Sequence, residues 1–413
     1  MFTAALSSGL LLPRSAPPLS VTPVRMLTEE AALTPAPGES LRVEPLVDEG
    51  ALVAQGQPLL RLRASPQIVL TAPMAGRLAR IELAPGRRLV QAVIFHEGEA
   101  RHEYPAPAAG PEGLRALMQG AGLWRLLRSR PFGQMPRVGE TPAAILVMAA
   151  DTSPGAPDPM QELRGREDDF GRGMAALASL TGTLFLCGGE GLPAPPDTRR
   201  IACGRLHPQG LAGMQIHRHC PARIEAPVWD IHAGDVADLG ALLVGGLLPE
   251  TRLVQVLGAA LRETRLVRCQ PGADLRGLCR DIVKPGPHAL LSGSALDGGP
   301  AQFLAPRDRQ VTVRPLASGP ARRHWFAAAL RRAGRPLPVI PTAALDQALA
   351  GLPAAALVRA LGAGDDESAI RLGALSLVEQ DLALADYATA AEPPLSAQLR
   401  AILDRIEAAE VPA

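Results

Sequence analysis

The sequence predicts a multidomain α/β protein, and three observations predict it. At 413 residues the chain is longer than one hydrophobic core ordinarily serves. Residues 39–104 read as short β segments punctuated by glycine turns, whereas residues 111–250 alternate apolar strand-like runs with amphipathic stretches, the pattern of βαβ units and a Rossmann-like, mostly parallel sheet. Residues 315–413 then carry helical periodicity.

Residues 1–38 read as an extended segment. Their start has an apolar patch but no positive n-region, so it is assigned to the mature chain rather than to a secretory signal. From 47 to 59 the spacing V-x-x-G-x-x-V-x-x-G-Q-x-L, followed by A-P-x-x-G at 72–76, resembles the barrel-sandwich hybrid of biotinyl and lipoyl carrier domains. A carrier needs a lysine at its hairpin tip, and Lys284 is the only lysine in the chain. Residues 39–104 are therefore given a structural role, their glycines serving turns with positive φ. The run YPAPAAGPE at 104–112 is a linker.

Beyond the linker, Leu114, Leu117, Met118 and Trp124 fall at helical spacing, which predicts a helix over 114–127. Ser129-Arg130-Pro131 ends it, because a residue before proline is pushed out of the α region. Residues 143–149 are continuously apolar, as in a strand covered on both faces. Asp151 and Thr152 follow, at the carboxyl end where open α/β sheets place ligands. Further helices are expected at 161–180 and 236–244, and strands at 183–186 and 228–231. The glycine turn at 188–191 follows a strand, but it lacks the G-x-G-x-x-G order and runs into PAPPD, which cannot open a phosphate-holding helix.

Residues 251–314 read as strands at 253–257, 266–269 and 289–292, with Asp274 capping a short helix. Helices are expected at 324–332, 342–350, 354–361, 366–372 and 396–409, the last with Ser396 as its N-cap and an apolar stripe of Leu399, Ile402, Leu403 and Ile406.

Composition excludes several functions. A net charge of +1, from 42 Lys and Arg against 41 Asp and Glu, offers no electrostatic basis for nucleic-acid binding. The apolar run at 239–248 is far short of the roughly 20 residues of a spanning helix. Five scattered cysteines suit a reducing compartment better than a disulfide framework. His217, His219 and Cys220 have no second Cys/His pair at zinc-site spacing, so no metal, catalytic or cofactor-binding residue is assigned. The positive candidates are a basic-aromatic turn, Trp124, Arg125, Arg128, Arg130 and Phe132, together with Asp151 and Thr152, as a contact for a partner or a quinone. Trp and Arg are enriched in binding hot spots, and arginines beside a helix C-terminus are expected exposed or paired. The competing reading places Trp124 and Phe132 in the core.

The runs GLWRLLRSRPF at 122–132 and TPAAILVMAADTSPGAPDP at 141–159 closely resemble the NqrA family, which belongs to sodium-translocating NADH:quinone oxidoreductases. HPQGLAGMQIH at 207–217, residues 228–261, GDDESAIRLGALSLVEQDLAL at 364–384 and GLLLPRSAP at 9–17 extend that resemblance. It implies that 251–314 is a β-grasp (SLBB) domain, followed by a C-terminal helical domain. It also implies a peripheral subunit on the cytoplasmic side of the bacterial inner membrane, touching the membrane only through partner subunits B to F. FMN, riboflavin, FAD and iron-sulfur centres would lie in those partners, none in this chain, and ubiquinone is a candidate ligand. Two alternatives stand beside it: an NADH/FMN flavoprotein like that of complex I or Rnf, and a divergent binding module outside any respiratory complex. No cysteine follows Cys279, so a C-terminal cluster held by this chain's own thiolates is excluded.

Overall fold

The computed structural model describes residues 8–12, 22–316 and 342–410. The helix expected at 324–332 lies outside them. The first strands are β1 (Val24–Arg25) and β2 (Glu30–Leu33). Within the segment expected to be extended, β1 adds in parallel to a strand of residues 265–269 and β2 pairs antiparallel with residues 92–95. Each covers an edge whose N–H and C=O groups would otherwise stay open.

β3 (Val43–Pro45), β4 (Leu52–Val53), β5 (Pro58–Leu62), β6 (Val69–Thr71), β7 (Gly76–Ala84) and β8 (Arg88–His96) complete two small sheets, ordered β2-β8-β7-β4 and β3-β5-β6. Leu59, Leu60, Leu70, Leu78 and Ile94 fill the space between them. Leu78 and Arg77 show the alternation that produces this, the first buried and the second exposed.

The helix expected over 114–127 is shorter. α1 spans Pro111–Gly120, a 3-10 turn covers Trp124–Leu126, and Arg128–Arg130 is a strand, β9. Gly122 explains the break: it holds φ +73°, and a Cβ there would lie 2.7 Å from the Thr71 hydroxyl of the β-rich part. β10 (Ala144–Ala149) is buried throughout. The helix expected at 161–180 is two, α2 (Pro159–Leu163), capped by Asp158, and α3 (Glu167–Ala178), separated at Gly165 with φ +75°. β11 (Leu184–Gly188), β12 (Arg199–Ile201), α4 (Ala212–His219), β13 (Val228–His232) and α5 (Ala233–Gly245) follow, β12 and α4 without a counterpart in the sequence reading. The sheet order is β12-β11-β10-β13-β9, parallel except for β9 at one edge.

α3 and α5 meet backbone to backbone. A Cβ on Gly240 would sit 1.8 Å from the Asp169 carbonyl oxygen, and one on Gly173 2.0 Å from that of Val236. Gly240→Ala is therefore expected to destabilise the protein by about 1–3 kcal/mol, although alanine is the better helix former. Urea unfolding checks this, and an unchanged or raised midpoint would refute the close approach.

β14 (Arg252–Leu257), β15 (Arg265–Cys269), α6 (Leu275–Leu278), β16 (His288–Ser292), β17 (Gly299–Pro300) and β18 (Gln310–Pro315) form a third body with its own core around Val254, Val267, Leu275 and Val313. Its mixed sheet runs β1-β15-β14-β18-β16-β17, with β14 and β18 parallel at the centre. Asp274 caps α6 through the Arg276 and Gly277 N–H groups.

Helices α7 (Thr342–Ala348), α8 (Ala354–Ala363), α9 (Asp366–Arg371), α10 (Glu379–Thr389) and α11 (Leu395–Glu410) pack around Leu357, Leu382, Leu399 and Leu403. Ser396 lies within α11 rather than at its N-cap. The Asp386 carboxylate takes the cap's place, accepting from the Leu395 N–H at 2.5 Å and from the Ser396 hydroxyl.

Candidate functional site

From β10 the chain passes to β11 and β12 on one side and returns to β13 on the other, so the connections diverge between β10 and β13. Such a switch point opens a crevice beyond the carboxyl ends of the two strands. A cleft of about 460 Å³ lies there, walled by the ends of β10 and β13, by residues 292–299 and 305–310 of the third body, and by the start of α10.

Asp151 lines this cleft, where its Oδ1 accepts the Ser153 N–H at 2.7 Å. Thr152, its neighbour, turns inward. Its Oγ1 accepts the Gly210 N–H at 2.9 Å and lies 3.3 Å from His207 Nδ1, so it braces the loop after β12. Burial holds His207 below the usual histidine range, which keeps that ring neutral.

The basic-aromatic stretch is internal: its arginines are paired, one of the two expected states, but they lie on a 3-10 turn and a strand rather than at the end of a long helix. Trp124 is fully buried, donates its indole N–H to the Pro136 carbonyl at 2.8 Å and meets Trp229 edge to face. Arg125 bonds the Thr34 carbonyl at 2.6 Å. Phe132 packs against the core of the C-terminal helices. Arg130 is 0% exposed, its Nε 3.1 Å from Asp230 Oδ1 and its Nη1 2.9 Å from Asp381 Oδ2. Arg128 also grips Asp230, at 2.9 Å, and reaches Gln380 of α10. Burial opposes the charge on Asp230, but the two guanidiniums outweigh it and hold the carboxyl below its ordinary range. Among the seven residues singled out in the sequence, Arg128 and Asp151 face the cleft; Trp124, Arg125, Arg130, Phe132 and Thr152 do not.

Other residues of the site had not been singled out. His232 ends β13 and caps α5, its Nδ1 accepting the Gly234 N–H at 3.0 Å, which assigns the ring proton to Nε2. Burial, then the Arg309 charge, keep it neutral. Arg309 Nη2 lies 2.5 Å from Asp235 Oδ1, and its Nε 3.5 Å from Glu162 Oε2. Burial pushes both carboxyls up, but Arg309 prevails and holds them ionised below the usual range. Arg309 lines the cleft, and its Nη1 has no hydrogen-bond partner among the described residues. Asp308, next to it, also faces the cleft. Burial raises its carboxyl to about 6, the 2.5 Å bond from the Ser292 hydroxyl opposing the shift and Asp297 adding to it. The run WDIHAGD at 229–235, polar residues set into a buried strand and its helix start, was the signal available in the sequence.

Across the cleft, seven carboxylates (Asp151, Asp230, Asp235, Asp297, Asp308, Glu379 and Asp386) face three guanidiniums (Arg128, Arg307 and Arg309). The cleft is acidic. As for thiolates, burial pushes Cys269 and Cys279 up to about 12, so both stay protonated and are poor ligands. Among the described residues no group of three or more His, Cys, Asp or Glu is placed to hold a metal ion. His217 and His219 sit in the last turn of α4, the latter against Phe185.

The family model of the NqrA second alpha/beta domain matches residues 110–248, which contain the switch point, and that of the NqrA N-terminal barrel-sandwich hybrid domain matches residues 5–97. The A subunit of the Na(+)-translocating NADH-quinone reductase of Pasteurella multocida is 31% identical over 97% of this chain and 99% of its own length. The chain belongs to the NqrA family. The corresponding subunit of Actinobacillus pleuropneumoniae serotype 5b is 31% identical over 97% of this chain and 99% of its own, and that of Teredinibacter turnerae 31% over 87% and 89%. A solved NAD+-reducing [NiFe]-hydrogenase chain aligns over 73% of this chain and 66% of its own at 14% identity with a TM-score of 0.37, too low to carry an argument. In this NqrA chain the barrel-sandwich hybrid holds no lysine for a carrier group. The cleft is lined by the second alpha/beta domain, by Ala36, Pro37 and Gly38 of the N-terminal match, and by residues beyond 248 that lie outside both family models.

Proposed function

We propose that this chain serves as the NqrA component of a Na(+)-translocating NADH-quinone reductase, a peripheral scaffold without a redox cofactor of its own, whose switch-point cleft takes a quinone head. Partner subunits B to F would carry FMN, riboflavin, FAD and iron-sulfur centres, and the chain would meet the cytoplasmic face of the inner membrane only through them. Among the described residues no helix is long and apolar enough to cross a membrane, which suits attachment through partners. The parallel central pair β14–β18, with α6 across the sheet, supports reading 251–314 as the β-grasp SLBB domain. Helices α7 to α11 support a C-terminal helical domain over 315–413.

The observation that carries this reading is the chemistry of the cleft. An excess of carboxylates opposes the phosphate of a flavin or nicotinamide nucleotide, whereas a neutral quinone head escapes that repulsion. Arg309 places a guanidinium in the lining, and Asp308 a carboxyl that can hold a proton near pH 6. Of the residues first singled out, Arg128 and Asp151 would face the head directly, while Trp124, Arg125, Arg130, Phe132 and Thr152 would hold the walls. Titration of the purified chain with a short-chain ubiquinone should show saturable binding, lost on filling the cleft by Ala156→Trp while the melting temperature holds. Stoichiometric FMN uptake, or quinone binding indifferent to Ala156→Trp, would contradict it.

A further inference from the structure

A second concavity, of about 510 Å³, lies on the third body, bounded by α6, residues 279–283 and β16 and sharing no lining residue with the cleft. Arg262, Arg276 and Arg280 stand exposed around it, and Asp281 is the one carboxylate in its lining. In a chain whose net charge is +1, three guanidiniums against one carboxylate is a local excess rather than a general basicity. Neither Arg262 nor Arg276 forms an ion pair among the described residues. Arg280 reaches Glu29 at 3.3 Å, but both side chains are mostly exposed, so that pair is weak and readily exchanged.

The rim is fixed by backbone. The Arg262 N–H donates to the Ile282 carbonyl at 2.8 Å, the Lys284 N–H to that of Ala260 at 2.8 Å, and Leu261 bridges Val283. Val283 and Leu290 supply apolar surface between the charges, and Cys279 is buried beneath. Guanidinium forks borne on a backbone-fixed rim around a partly apolar floor match carboxylates carried on short aliphatic stems.

We propose that this concavity docks an acidic peptide segment of a partner chain. A segment is favoured over a single phosphate because the volume and the spread of the arginines exceed what one small anion fills, and because Val283 and Leu290 reward methylene groups that a phosphate lacks. The site is separate from the cleft, so either can fail alone.

The test uses the full chain and a fluorescein-labelled oligoglutamate peptide, followed by anisotropy. Binding should weaken roughly tenfold or more in the Arg262→Glu/Arg276→Glu variant, and also as salt is raised to several times physiological strength, since exposed charges are screened over a Debye length of about 8 Å. Arg262→Gln/Arg276→Gln removes charge without reversing it and should lose a smaller part of the affinity, so it decides the matter if the reversed variant does not fold. Arg262→Lys/Arg276→Lys should restore part of the binding. The proposal is overturned if the peptide binds the Gln and Glu variants like the parent. It is equally overturned if inorganic phosphate or phosphatidylglycerol vesicles bind through these arginines while the peptide does not.

Discussion

Replacing Arg130 by alanine is expected to cost about 3–5 kcal/mol of stability, the range for breaking a buried ion pair from one side. Arg130 is fully buried between Asp230 of the sheet and Asp381 of α10, 251 residues away in sequence, so it bolts the C-terminal helices to the edge of the parallel sheet. Without it Arg128 still neutralises Asp230, but Asp381 keeps only the N–H groups of Gly213 and Val378, at 3.2 and 2.8 Å. An ionised carboxylate in that position is the main cost. Exposed arginines set the contrast: Arg405, paired with Asp366, should lose no more than about 1 kcal/mol on truncation. Arg130→Ala/Asp381→Ala should cost less than the sum of the single changes, because the second substitution removes the charge the first left stranded. Urea unfolding of the three variants measures this, and additive losses would show that the two side chains do not act as a pair.

Arg309→Ala is expected to cost a similar amount, about 3–5 kcal/mol at neutral pH, with a pH signature of its own. In the native protein Glu162 and Asp235 are held below their ordinary range, so their contribution to stability is present above about pH 4 and is lost as pH falls through their lowered values. With Arg309 gone, burial is no longer outweighed and both carboxyls rise above their unfolded values. The folded variant then binds more protons than the unfolded chain, and its stability falls as pH rises from about 4 toward neutrality. The deficit against the parent should therefore be largest near pH 7 and narrow toward pH 4. A deficit constant across that window would assign Arg309 a packing role instead.

These two arginines also show where the sequence stopped being readable. β10 announced itself as a continuous apolar run, and Asp151 followed from its carboxyl end, because both depend on neighbours in the chain. The partners of Arg130 and Arg309 do not. Asp381 lies 251 positions from Arg130, and Asp235 74 from Arg309, distances at which spacing carries no signal. Arginines before a proline were read as a helix end because the pairing of β9 with β13 depends on a strand a hundred residues away; Arg130 stands opposite Val228. β12 is three residues long and α4 begins after a proline-containing loop, so neither presents enough periodicity to be seen alone. His232 sits among polar residues of its own run, and a histidine at a strand's end can cap the helix that follows it, but its charged partners Glu162 and Arg309 are distant in sequence.

Membership of a sodium-translocating NADH-quinone reductase is tested in the protein's own membranes. The chain, tagged and purified from the source organism in mild detergent, should bring with it an assembly that oxidises NADH, reduces ubiquinone and is stimulated by sodium. Once separated from that assembly, the chain should be colourless, with the flavin and iron-sulfur absorbance remaining in the other subunits. A chain that comes away alone from membranes active in sodium-stimulated quinone reduction, or one that keeps stoichiometric flavin absorbance after separation, would contradict it.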